Sequence, residues 1–222
     1  MKRLSLALLI AFSCVVTANA DDINYGDFDA DTVTYIDVTE SSNDPTPLYG
    51  TPEVFGNQLD LPGTGFISET NNGEVDFLDG RLTFMIEADP GSTISSITIE
   101  EFGAYFTFGE DSIARVSAIA FVETLEGDIV SGTFDQQFDG SPSGPDGGEW
   151  FQSLTINFEA TSKITVTLDN QLFTFADEPG VAFIDKKGVD INVGKNVVPE
   201  PTSAALLGLS MMGIALRSRR RV

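Results

Sequence analysis

Apolar and polar residues alternate along most of the middle of the chain. Residues 81–87 (RLTFMIE) predict a strand, as do Ile94, Ile97 and Ile99 running toward Phe102, and then residues 105–108 (YFTF). Residues 113–123, 154–158 and 164–168 continue the series. Asp169-Asn170 predicts a tight turn into residues 172–175 (LFTF), and so a hairpin. Residues 181–184 and 189–193 close the set. Period-2 runs separated by Gly, Pro, Asp and Asn predict an antiparallel all-β domain. Strands at about 8–12 residue spacing predict a β-sandwich, with a jelly-roll-like form as one candidate. Residues 39–75 alternate less and are richer in Pro, Gly and Asn, which predicts loops and short edge strands wrapping the sandwich. The longest predicted loop is 139–148 (DGSPSGPDGG). No convincing 3.6-residue period appears between the two ends of the chain, and no repeat at about 20–50 residues. The 17 Phe supply much of the core volume.

The ends follow different rules. Residues 1–20 read MKRLSLALLIAFSCVVTANA. Lys2 and Arg3 precede an apolar run, and Ala18 and Ala20 place small residues at the −3 and −1 positions of a cut after Ala20. This is the three-part pattern of a secretory signal peptide, here a signal helix, which makes signal peptidase an expected partner. The sole cysteine, Cys14, lies inside it. The acidic β-sandwich domain is then expected over 21–197.

Residues 198–222 read VPEPTSAALLGLSMMGIALRSRRRV. Pro199 and Pro201 hold an extended approach, and Thr202 and Ser203 can cap a helix. Residues 204–216 are apolar, and Arg217, Arg219, Arg220 and Arg221 form a basic stop. A run of about 15 apolar residues spans roughly 22 Å as a helix, short for a hydrocarbon core of about 30 Å. A short transmembrane helix of this kind suits a temporary anchor. The Pro199-Glu200-Pro201 triplet, the Leu/Gly/Ala-rich span and the arginine cluster together resemble the PEP-CTERM sorting signal. That resemblance implies recognition by exosortase, a membrane-embedded cysteine transpeptidase of Gram-negative bacteria that make exopolysaccharide. It also implies a transient inner-membrane anchor, cleavage near the motif, and delivery to the cell surface or extracellular matrix. The central domain resembles the bodies of uncharacterised PEP-CTERM proteins, and that likeness brings no activity with it.

Charge narrows the function further. The chain has 34 acidic and 12 basic residues and no histidine. Thirty-three of the acids lie between residues 21 and 197, with only six of the bases. Without histidine there is no Ser-His-Asp triad and no imidazole ligand or base. Acidity on this scale excludes phosphate-driven binding of nucleic acid.

Candidate chemistry inside the domain is sparse. Asp27, Asp29 and Asp31 alternate as at the start of a calcium loop, but Thr32 stands where that loop needs Gly, and Val38 where it needs Glu. Asp139, Asp146 and Glu149 flank the Gly-rich loop and offer a second Ca²⁺ candidate. Trp150, with Phe151 and Tyr105 as neighbours, could stack on sugar rings. Glu100-Glu101 reads as a strand end, and Lys186-Lys187 as a turn satisfying nearby carboxylates. The expected function is therefore non-enzymatic: an exported surface or matrix protein interacting with exopolysaccharide or envelope material, without a cofactor unless calcium binds. A carbohydrate-binding module, with or without Ca²⁺, and a carboxylate-dependent glycoside hydrolase are the alternatives.

Overall fold

A computed structural model describes residues 22–197. The expected signal helix over 1–20 and transmembrane helix over 198–222 lie outside the described residues. Among the described residues the chain forms strands and no helix, so none is long and apolar enough to cross a membrane. The strands are β1 (Ile23–Asp29), β2 (Val33–Ser42), β3 (Glu53–Phe55), β4 (Gln58–Leu61), β5 (Ile67–Asn71) and β6 (Glu74–Ala88). They continue with β7 (Ser92–Phe108), β8 (Ile113–Thr124), β9 (Ile129–Asp139), β10 (Asp146–Thr161), β11 (Lys163–Ala176) and β12 (Val181–Val197).

Two antiparallel sheets face each other. One has the order β1-β2-β6-β11-β8-β9, the other β10-β7-β12-β4-β3, with β5 also paired to β12. Strands β5–β12 alone give the orders 5-12-7-10 and 6-11-8-9, which is jelly-roll connectivity. Strands β4 and β5 share one edge of β12. β4 pairs with Val189–Asn192 and β5 with Val181–Asp185.

The core lies between the sheets and follows from the alternation. Ile164, Val166, Leu168 and Leu172 point inward from β11, and Leu82, Phe84 and Ile86 from β6. Ile97 and Ile99 of β7 and Ile184, Val189 and Ile191 of β12 meet them from the other sheet. Burying so much apolar area at about 25 cal/mol per Å² is the main drive for the fold.

The strands are longer than the sequence pattern predicts, and three predicted breaks are absent. Asp169-Asn170 is no turn: β11 runs through it, paired to β6 from Lys163↔Glu87 to Ala176↔Glu74. Asn170 simply occupies the next inward position after Leu168, so the period-2 phase outranks local turn preference. Glu100-Glu101 does not end a strand, because β7 continues to Phe108. Lys186-Lys187 is not a turn either. It lies within β12 at a register shift, where Lys186 faces Gly103 and Gly188 faces Phe102, leaving Lys187 as the extra residue. That bulge lets Ala182, Ile184 and Lys186 point inward before it, and Val189 and Ile191 after it.

Candidate functional site

The structure does not gather the residues singled out for calcium. Asp27 and Asp29 lie on β1, and Asp31 in the turn after it. Asp27 Oδ1 accepts the Asp37 N–H at 2.9 Å, bracing the β2 bulge where Asp37 takes a left-handed φ of 54°. Asp29 Oδ1 accepts the Thr34 hydroxyl at 3.3 Å. Asp139 and Asp146 accept from Gln137 Nε2 at 2.6 Å and the Tyr105 hydroxyl at 3.4 Å. Among the described residues no three carboxylates group so as to hold a metal ion. The sorting residues Pro199, Glu200, Pro201, Arg217, Arg219, Arg220 and Arg221, and Ala18 and Ala20, lie outside the described residues.

Trp150 is not a sugar platform. Only 3% of it is exposed, and its Nε1–H donates to Asp185 O at 2.9 Å. Its partner in register on β7 is Gly103, and a Cβ there would run into Asp185 O and come within 2.7 Å of the indole nitrogen. The indole therefore crosses a glycine gap in the core and braces β12 one residue before Lys186. Tyr105 stacks on Phe138 at 3.8 Å. Exposed phenylalanines are spread over several strands, with Phe55 on β3, Phe77 on β6 and Phe121 on β8; the outward face of β7 and β10 carries a group in which Phe102 pairs with Phe151, and Phe106 and Phe108 follow along β7. Period-2 reading could have placed them, since Phe102, Phe106 and Phe108 share one phase of the strand.

The polar centre of the molecule was missed in the sequence. Glu101 from β7, Asn170 from β11 and Lys186 from β12 all occupy inward positions and are almost wholly buried. The Lys186 ammonium forms an ion pair with Glu101 Oε2, and Nζ donates to Asn170 Oδ1 at 2.5 Å. Asn170 Nδ2 donates to the Tyr49 hydroxyl at 3.1 Å, which donates on to Gly80 O at 3.0 Å. Phe66 stands edge-on to Tyr49, 4.8 Å between centroids, and presents its face to Lys186 Nζ, also at 4.8 Å.

Each member has a local reason for its place. The bulge in β12 sits where the edge changes hands between β4 and β5, and residues 62–66 fill that gap. Lys186 N–H donates to Phe66 O at 2.9 Å, so the backbone that carries the amine also fixes the ring beside it. Tyr49 arrives on a loop held by a second buried carboxylate. Glu40 accepts the N–H groups of Leu48 and Tyr49 and the hydroxyl of Tyr25. Gly80 leaves room for this packing, since a Cβ there would lie 2.7 Å from the Phe66 ring.

Burial pushes the Glu101 carboxyl above its ordinary range, against the pull of the Lys186 charge. Burial likewise pushes the Lys186 amine below its ordinary range, against the opposing effect of Glu101. Both shifts favour a neutral acid beside a neutral amine. Burial raises the Tyr49 phenol well above its usual range and keeps it a donor.

One surface concavity of about 340 Å³ is lined by Phe108, Glu110, Asp111, Pro142, Asp177 and Glu178. Its acidity attracts cations weakly and repels anions.

A two-sheet antiparallel sandwich with a polar knot in its core is thus the class of protein the fold defines. The chain carries a PEP-CTERM protein-sorting motif, matched over residues 197–221. No curated protein matches it. Among solved structures, similarity extends to TmCBM61 in complex with beta-1,4-galactotriose, at 12% identity over 60% of this chain and 81% of that one, TM-score 0.24. It extends also to a family 16 carbohydrate-binding module, at 10% identity over 70% and 92%, TM-score 0.27. The CBM22-1 xylan-binding domain from Paenibacillus barcinonensis Xyn10C matches at 10% identity over 57% and 85%, TM-score 0.25.

Proposed function

We infer that this is an exported, non-enzymatic surface or matrix protein whose β-sandwich works among exopolysaccharide or other envelope material. The observation that carries the reading is the sorting motif at residues 197–221. It supports temporary membrane anchoring and processing near Pro199-Glu200-Pro201 by an exosortase-type transpeptidase; to this the reading adds export by signal peptide, the inner membrane of a Gram-negative-type envelope, and release outward. The acidity of the domain suits that destination, since like-charged copies repel and stay dispersed.

The test is fractionation of cells expressing either the full chain or a variant in which Pro199, Glu200 and Pro201 are all replaced by Ala. The full chain is expected at the surface or in the matrix, shortened at its C-terminus, and the variant retained with the inner membrane. Surface delivery of the variant at the normal level would overturn the reading.

A second reading, carbohydrate binding, is favoured by one observation, the outward face carrying Phe102, Phe106 and Phe151. Flat aromatic faces offer apolar area to sugar rings. Retention of the domain on purified host exopolysaccharide, lost in a Phe102→Ser/Phe151→Ser variant, would support it; equal retention of both would sink it.

A further inference from the structure

Three strands place a primary amine, a carboxamide and a carboxyl group in one dry pocket, in direct contact with one another. Lys186 Nζ lies 2.5 Å from Asn170 Oδ1, which leaves the amide carbon one bond beyond. Its contact with Glu101 Oε2 is as intimate. As a permanent ion pair the arrangement is poorly satisfied. A buried pair is repaid only when further hydrogen bonds complete it. Yet among the described residues no hydrogen bond of ordinary geometry reaches either Glu101 carboxyl oxygen. One of the ammonium's faces is turned to the Phe66 ring.

We propose that Lys186 and Asn170 join in an intramolecular amide bond, with Glu101 carrying the protons and ammonia as the leaving group. The steps balance without an oxidant or reductant. A proton passes from the Lys186 ammonium to Glu101, which leaves a neutral amine; the low polarity of the pocket favours this exchange. The Nζ lone pair then attacks Asn170 Cγ, and the carbonyl π pair moves onto Oδ1, stabilised by the Glu101 acid. Glu101 takes a proton from Nζ and delivers one to Nδ2. The Oδ1 pair re-forms the carbonyl, the Cγ–Nδ2 bond breaks, and ammonia departs. The Nζ–Cγ bond has formed, and Glu101 ends as the neutral acid, holding the proton that the Lys186 ammonium gave up at the start. Tyr49 holds Nδ2 at 3.1 Å and so orients the carboxamide for this attack.

The bond would tie β11 in one sheet to β12 in the other. The domain over 22–197 contains no cysteine and therefore no disulfide, so this amide would be its covalent fastening outside the cell. Exclusion of water from the pocket protects the product from hydrolysis.

The test is intact-mass spectrometry of the purified protein, with both termini fixed by peptide mapping. The wild-type chain is expected about 17 Da below the mass of its sequence, the ammonia lost in the transfer. A digest cut before aspartate, at Asp169, Asp177, Asp185 and Asp190, is expected to yield one branched peptide joining residues 185–189, through Lys186, to residues 169–176, through Asn170. The branched peptide is the decisive readout, because succinimide formation at Asn72-Gly73 would shift the mass equally. Glu101→Gln is expected at the unlinked mass, as a folded chain by circular dichroism. Recovery of Lys186 and Asn170 only in separate linear peptides from folded wild-type protein would overturn the proposal. This measurement needs no variant to fold. Full linkage in Glu101→Gln would overturn the role given to Glu101.

Discussion

Lys186 and Glu101 sit on neighbouring strands of one sheet, both at 0% side-chain exposure, with Lys186 in the inward phase of Ala182 and Ile184 and the β12 bulge just after it returning Val189 to the core. A basic and an acidic side chain thus stand at positions that the alternation of both strands reserves for core residues. The sandwich tolerates them only as a unit.

Lys186→Met is therefore expected to cost about 1–3 kcal/mol or more, because it leaves the Glu101 carboxyl buried without its partner. Adding Glu101→Leu should restore part of the loss. Urea denaturation of both single variants and the double variant measures the coupling; strictly additive losses would mean that the two side chains do not depend on each other.

Glu40 anchors the loop that delivers Tyr49. Its carboxylate serves the N–H groups of Leu48 and Tyr49 and the Tyr25 hydroxyl. Glu40→Ala strands those donors and is expected to lower stability by about 1–3 kcal/mol or more. Thermal melting followed by circular dichroism would show it, and an unchanged transition would contradict the anchoring role.

Trp150 is the only tryptophan in the chain, so its fluorescence reports one place in the core. Blue-shifted emission, weak quenching by acrylamide, and a red shift only on unfolding are expected. Sugars should leave the spectrum unchanged. A readily quenched indole would contradict the burial described above.

Asp190 faces Asp60 on one side and Glu100 on the other, three acids in a row across β4, β12 and β7. Partial burial first, then repulsion by Asp60, holds the Asp190 carboxyl above its ordinary range. Folding therefore disfavours its ionised form. The penalty is complete above the folded pKa and vanishes as pH falls below the unfolded value, so this residue makes stability rise on mild acidification. Asp190→Asn is expected to raise stability at neutral pH by about 0.2–1 kcal/mol, less in high salt, and to flatten that rise. Melting temperatures at neutral and mildly acidic pH, with and without salt, would decide it.

Much of this protein is legible in its sequence. Period-2 runs such as 81–87 and 164–168 name the class of fold, because a pleated strand with one buried face has no other way to write itself. The C-terminal end is legible for the same reason: a Pro-Glu-Pro triplet with an arginine tail is local chemistry read in order along the chain. Trp150 was misread because nothing local distinguishes an inward indole from an outward one. Its burial depends on Gly103 of the neighbouring strand leaving a gap.

The polar cluster was illegible for a deeper reason. Glu101, Asn170 and Lys186 each look like a strand end or turn when judged by near neighbours, since charged and amide side chains ordinarily stop burial. Only the pairing of β7 with β12, the facing of β11 across the core and the single extra residue at Lys187 bring them together. Sequence by itself determined the all-β class, the C-terminal sorting motif and the acidity. Tertiary structure alone decided that three of its polar residues share one dry pocket, because their cost of burial is met only by one another.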